Sequence, residues 1–220
     1  MWIRFTKKGM KKRRQKCYLC NKNFADTRDH VPPECLFPGP KPSNLITLPC
    51  CLQCNRSYSK DEEYFRDNFS MISQRSPAVK QLWQKTRRSY FRRPLKLRDI
   101  RSRLINLNLM TEGGIYVGKA TGLKLDESRT NRVIEKIIKG LFFRHTDKIL
   151  PSRVLFHIFF NPTDILETYF RQRMFDRMWN DVFYYAFLFA QDNMYSGFWW
   201  LEFYKSNLFL AALEDITKPS

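Results

Sequence analysis

CYLCNKNFADTRDHVPPECLFPGPKPSNLITLPCCLQCN, residues 17–55, carries four of the chain's six cysteines as two spaced pairs, Cys17-x-x-Cys20 and Cys51-x-x-Cys54. A two-residue gap lets both thiolates of a pair face one ion, and two such pairs suit a tetrahedral four-cysteine zinc site. Disulfides are the rival, but nothing in the sequence indicates an oxidising compartment. Cys35 and Cys50 fall outside the pairs, and Cys50 beside Cys51 leaves open a pairing shifted by one position.

Between the pairs the chain reads Asp29-His30-Val31-Pro32-Pro33, then a Pro/Gly-rich loop (Pro38 to Pro42), then Asn44 and the apolar run Leu45 to Leu48. Asn55 follows Cys54 directly. In order, spacing and flanking cysteines, this arrangement resembles the HNH endonuclease family over roughly residues 15–70. The resemblance implies a ββα-metal motif held between two zinc knuckles. It also implies that Asp29 and Asn55 ligate a catalytic magnesium or manganese ion, that His30 is the general base, and that Asn44 holds the loop and orients His30. Asn55 stands where many members carry a histidine, and asparagine is a common variant there.

The residues themselves suit this chemistry. Phosphodiester hydrolysis needs a deprotonated water, a cation on the crowded oxygens and help for the departing 3′-oxygen. An imidazole ionises near neutrality, as a general base should, and Asp29 and Asn55 offer oxygens to a hard ion. Adjacent strand residues point to opposite faces, so a bulge, a twist or a metal reaching past the strand edge is required for Asp29 and His30 to serve one phosphate.

From Ser57 to Phe69 the sequence has good helix formers and no Pro or Gly, which predicts a helix to about Asn68 with Asn55 near its start. Asn55, Ser59 and Glu62 then share a face, so Glu62 can approach the metal. The favoured reading is instead that Asp61, Glu62 and Glu63 form an exposed acidic patch. Arg28 and Arg56 flank the ligands, as phosphate contacts or as plain surface arginines.

Outside this stretch, charge is the strongest signal. The formal net charge is +18. Residues 1–16 hold eight bases and no acid, residues 75–103 hold eleven bases and one acid, and the remainder is neutral. Excess charge confined to two short segments marks a polyanion footprint; a solvated helix face is the plainer explanation. Residues 71–105 read as one or two basic helices, with Pro77 and Pro94 marking starts or breaks. Arg87, Arg88, Arg92 and Arg93 are the candidate nucleic-acid contacts there.

Farther on, Gly113 to Ala120 superficially resembles a phosphate-binding P-loop, but Ala120 lacks the hydroxyl that holds magnesium, so a β-hairpin is expected. Ser128 or Thr130 is expected to cap a helix to about Phe143, with Val133, Ile137, Ile138 and Leu141 on its buried side. Val154–Phe160 reads as a strand, Asp164–Trp179 as helical or mixed, and Val182–Ala190, Phe198–Tyr204 and Leu208–Leu213 as a meander. These strands are aromatic on both faces, so the sheet needs a cover. His145 and His157 lack acids or cysteines at ligand spacing and read as structural.

The expected organisation is α+β: a basic N-terminal arm (1–16), a zinc-stapled ββα-metal HNH nuclease domain (17–72), a basic helical linker (73–105) and an α+β C-terminal domain with an antiparallel aromatic-rich sheet (106–220). Nineteen Phe, ten Tyr and five Trp exclude a disordered tail. No run approaches the ~18 apolar residues of a membrane span, and the first residues lack an apolar signal region, so a cytoplasmic protein is expected. The expected function is a metal-dependent endonuclease acting on double-stranded DNA, with structural zinc and catalytic Mg²⁺ or Mn²⁺, in restriction, phage defence or a mobile element. A homodimer or protein partner would use the C-terminal half. The alternatives are a non-catalytic zinc-stapled nucleic-acid-binding subunit and a nuclease active only with a partner protein.

Overall fold

Segments on either side of the Pro/Gly loop, with burial alternating along each, form a hairpin of β1 (Thr27–Val31) and β2 (Ile46–Cys50), paired antiparallel from Thr27↔Cys50 to Val31↔Ile46. One residue later the chain enters α1 (Leu52–Ile72). The structure is a computed structural model that describes residues 15–73, 76–162, 176–178 and 181–217. Most of the basic arm (1–14), Arg75 and residues 163–175 therefore lie outside the described residues.

α1 starts five residues before Ser57. Cys51, at its N-cap, makes no side-chain cap bond. The carboxylate of Asp26 caps it instead, accepting from the Leu52 N–H at 2.7 Å.

The basic stretch forms two helices, α2 (Pro77–Phe91) and α3 (Pro94–Ser102), each opening on a proline. Ser76 caps α2 by accepting from Val79 N–H at 3.2 Å. β3 (Leu104–Met110) and β4 (Tyr116–Leu123) form an antiparallel hairpin, so Gly113 to Ala120 occupies a turn and a strand as expected. α4 (Glu127–Thr146) is capped by Asp126, which accepts from Arg129 N–H at 3.2 Å. This corrects the expected cap: Ser128 lies inside the helix, and the Thr130 hydroxyl donates back to Asp126 O at 2.9 Å. Asp147, in the left-handed conformation at φ 53°, ends the helix.

The last layer is a five-stranded sheet of β5 (Val154–Phe160), β6 (Asp176–Met178), β7 (Phe183–Phe189), β8 (Gly197–Phe203) and β9 (Asn207–Asp215). Its order is β5-β9-β8-β7-β6, with every pairing antiparallel and β7-β8-β9 a meander. Within Asp164–Trp179, expected as helical or mixed, residues 176–178 are strand. The fold is thus mixed, with helices, antiparallel sheets and a four-cysteine cluster.

Helices α1 and α4 cover one face of the sheet. Phe65 of α1 meets Phe203 at 4.9 Å, Phe69 meets Phe209 at 5.5 Å, and Phe142 of α4 meets Phe189 at 5.8 Å between ring centroids. One cluster of buried side chains runs from Cys17 and Val31 through Phe65 and Ile137 to Leu213, so the hairpin, both helices and the sheet share a core. The other sheet face carries a smaller cluster of Ala186, Trp200, Leu208 and Leu210. Polar ties join the ends of the chain: Tyr204 donates to Leu36 O at 3.1 Å, and Asn207 donates to the Ser73 hydroxyl. No helix among the described residues is long and apolar enough to cross a membrane.

Candidate active site

The sulfurs of Cys17, Cys20, Cys51 and Cys54 all lie within 4.8 Å of one another. A tetrahedral site with metal–sulfur bonds of about 2.3 Å places its sulfurs about 3.8 Å apart, so this cluster is able to hold a metal ion and is compatible with structural zinc. All six cysteines are free thiols. Cys50 stays outside the group of four; it is buried 3.8 Å from Cys17 Sγ, and that burial raises its thiol pKa. Burial would also raise Cys20, but hydrogen bonds from the backbone of Asn23 and Lys22 and from Cys17 and Cys54 outweigh it and bring the thiol down to about 7. The cluster brings the start of α1 against the turn before β1.

Strand alternation then separates Asp29 from His30. No register shift interrupts β1, and the two side chains leave opposite faces. His30 is half-exposed, with Nδ1 3.8 Å from Oε2 of Glu34 in the turn after β1. A hydrogen bond from Lys41, opposed by some burial, holds the Glu34 carboxyl below the usual range, with Lys41 and His30 adding electrostatic support. Asn44 is exposed in the turn leading to β2. Asn55, in the first turn of α1, donates its amide to Arg28 O at 3.2 Å and Thr27 Oγ1 at 3.4 Å, fastening α1 to β1. Arg28 is exposed and donates to Thr47 O at 3.3 Å; Arg56 is exposed.

Asp29 faces inward and is only 5 % exposed. Tyr18 donates to its Oδ2 at 2.6 Å, and Lys136 of α4 reaches Oδ1 at 2.9 Å and Oδ2 at 2.8 Å. The same ammonium pairs with Glu62 of α1. Burial alone would lower the Lys136 pKa, but Asp29 and Glu62 more than offset it and hold it above the ordinary value. Asp29 thus has both oxygens engaged, and Asn55 spends its amide nitrogen on β1. As folded, Asp29 does not fit a magnesium or manganese ion.

The expected acidic patch is also corrected. Asp61 pairs with Arg129 at 2.8 Å and Arg132 at 2.6 Å, Glu62 with Lys136, and Glu63 with Lys96 at 2.8 Å and Arg93 at 3.3 Å. Three consecutive acids are therefore joints to two later helices, α3 and α4. Sequence reading missed Lys136, though a signal existed. With Val133, Ile137, Ile138 and Leu141 on the buried side of a helix, positions 136 and 140 fall within the same stripe, and they hold a lysine and a glycine.

Arg87, Arg88, Arg92 and Arg93 are exposed on α2 and the joint to α3. Lys96 and Arg103 have other work: Lys96 pairs with Asp67, and Arg103 donates to Asn68 at 2.8 Å and Asp99 at 3.0 Å. A cleft of about 340 Å³ links the two regions, lined by Glu34, Lys41, Glu63, Arg66, Lys85 and Arg93 among others. A larger cavity of about 810 Å³, between the start of α4 and β5, is lined largely by apolar side chains, with Glu127 the one titratable group among the described residues that line it. His145 and Tyr185 lie 2.8 Å apart and His157 lies 3.2 Å from Glu214, away from this site. No family model, curated protein or solved structure matches the chain.

Proposed function

We propose that the chain is an endonuclease of the HNH type, its ββα unit stapled by zinc on Cys17, Cys20, Cys51 and Cys54 and acting on double-stranded DNA. The observation that carries this reading is His30, half-exposed on a hairpin that the four-cysteine cluster and α1 hold rigid, with Glu34 beside its Nδ1. His30 accepts a proton from the water that attacks phosphorus in line, opposite the 3′-oxygen, leaving 5′-phosphate and 3′-hydroxyl ends. Glu34 stabilises the imidazolium formed in that step. The cleft from Glu34 to Lys85 and Arg93 leads the strand onto the exposed arginines of α2, whose contacts are with phosphate and carry no sequence choice.

The test is cleavage of plasmid, linear duplex, single-stranded DNA and RNA, with several divalent ions, by wild type and His30→Ala. Loss of a general base lowers the rate by about 10²- to 10⁴-fold; unchanged cutting by His30→Ala removes the assignment.

A second reading, a zinc-stapled subunit that binds nucleic acid without cutting it, is favoured by one observation: the Asp29 carboxylate is spent on Tyr18 and Lys136. Salt-sensitive binding with no cleavage in any substrate or ion would establish that reading.

A further inference from the structure

Lys136 stands where no cation was expected from the sequence. It is fully buried, and it reaches the ββα unit from a helix that begins 55 residues after the end of α1. It donates to Oδ1 of Asp29 at 2.9 Å and to Oε1 of Glu62, and lies 2.8 Å from Oδ2 of Asp29. The Tyr18 hydroxyl takes a remaining lone pair of Asp29 at 2.6 Å, and the Tyr58 ring lies 5.4 Å from the ammonium. Each charge in this group faces an opposite one, as burial of charge requires.

The helix is built to make this reach. Gly140, one turn beyond Lys136, lies against Val31 and Leu48, and a Cβ there would stand 2.6 Å from Val31 Cγ2. Val31 is two residues beyond Asp29 on the same strand face, so one glycine contact brings α4 close enough to set Lys136 on Asp29. A divalent ion bound to Asp29 and Glu62 would sit about 2.0–2.6 Å from their oxygens. The ammonium nitrogen fills that space, so the two cations exclude each other.

We infer that Lys136 is a resident internal cation that closes the Asp29–Glu62 carboxylate pair to divalent metal, and that removing its ammonium opens a metal site between them. This goes beyond the proposed cleavage activity and holds whether or not the chain cuts nucleic acid. It concerns a pair of carboxylates on β1 and α1, and is separate from the four-cysteine cluster.

The experiment is manganese binding, followed by the electron paramagnetic resonance of free Mn²⁺, with zinc-loaded full-length protein. Wild type and Asp29→Asn are expected to bind Mn²⁺ indistinguishably. Lys136→Ala is expected to gain one saturable site, at least tenfold tighter than any in wild type, which Lys136→Ala/Asp29→Asn loses. Lys136→Arg, which keeps a cation, gains none. Mn²⁺ binding by wild type that Asp29→Asn abolishes overturns the inference, as does a folded Lys136→Ala that gains no site. If Lys136→Ala does not fold, Lys136→Met replaces it, an apolar chain of similar length that leaves both carboxylates in place and is expected to gain the same site. The wild-type against Asp29→Asn comparison tests closure of the pair in either case. Failure of the nuclease assay changes none of these outcomes.

Discussion

Gly140 of α4 and Val31 of β1 are packed so closely that a Cβ on the glycine would stand 2.6 Å from one valine methyl and 3.0 Å from the other. Valine is stiff at χ1 and cannot swing aside. Gly140→Ala would gain about 1 kcal/mol in helix propensity, but overpacking a core costs about 1–3 kcal/mol. The expected result is a net loss of about 1 kcal/mol, read as a lower midpoint in chemical denaturation. An unchanged or raised midpoint would show that the hairpin can back away from α4.

Asp26 caps a helix that starts 26 positions after it, through its bond to Leu52 N–H. Asp26→Ala should cost about 1 kcal/mol, and Asp26→Asn, which keeps an acceptor oxygen, only a few tenths. Equal losses for the two variants in thermal unfolding would mean that the carboxylate charge, rather than the cap bond, is what α1 uses.

The cysteines should differ sharply in reactivity. In metal-free, folded protein, Cys20 is held at about 7 and is the thiol expected to alkylate first, its rate rising with pH as the thiolate forms through that value. Burial, with added repulsion from Glu62, pushes Cys35 up to about 12, so it should stay unmodified until the chain unfolds. Peptide mapping after brief iodoacetamide treatment reads both. Zinc should protect Cys20, and restoration of its labelling by a chelator would locate the ion at the cluster.

Two kinds of base in the α2–α3 segment predict two kinds of mutant. Arg87→Glu/Arg88→Glu/Arg92→Glu changes exposed side chains and should weaken DNA binding while leaving the melting temperature nearly unchanged. Its salt slope should fall by about 0.9 for each phosphate that is no longer neutralised. Lys96→Ala strips one of two cationic partners from Asp67, which is only 1 % exposed and keeps Arg66, and should instead destabilise the fold by about 1 kcal/mol. Binding that is indifferent to the triple reversal would remove α2 from the interface.

Much of this architecture was legible in the sequence because its signals are local. Two-residue cysteine gaps, alternating strands and prolines at helix starts need no distant partner, and β5 runs from Val154 to Phe160 as expected. Most of the misreadings share one cause. The start of α1 depends on Asp26, and Asp61, Glu62 and Glu63 read as a solvated patch because each has a partner between 30 and 74 positions away; the cap of α4 differs, a choice among the neighbours Asp126, Ser128 and Thr130. Asp29 and His30 could be assigned to opposite faces by alternation, but what Asp29 meets inside depends on the register of α4 against β1. That register is set by Gly140, which periodicity places on the buried side of α4 without saying which element it meets.

The reach of Lys136 into the hairpin also has a consequence in time. During synthesis the cysteine pairs, β1, β2 and α1 are complete once Ile72 has been added, yet Asp29 and Glu62 have no cation until 64 further residues are made. At ribosomal speeds of about 5–20 residues per second, that interval lasts roughly 3–13 s. For those seconds the nascent hairpin holds two carboxylates with nothing to neutralise them, and its inner face stays wet. The inner face of the hairpin therefore closes only when α4 arrives, before the sheet strands that complete the core.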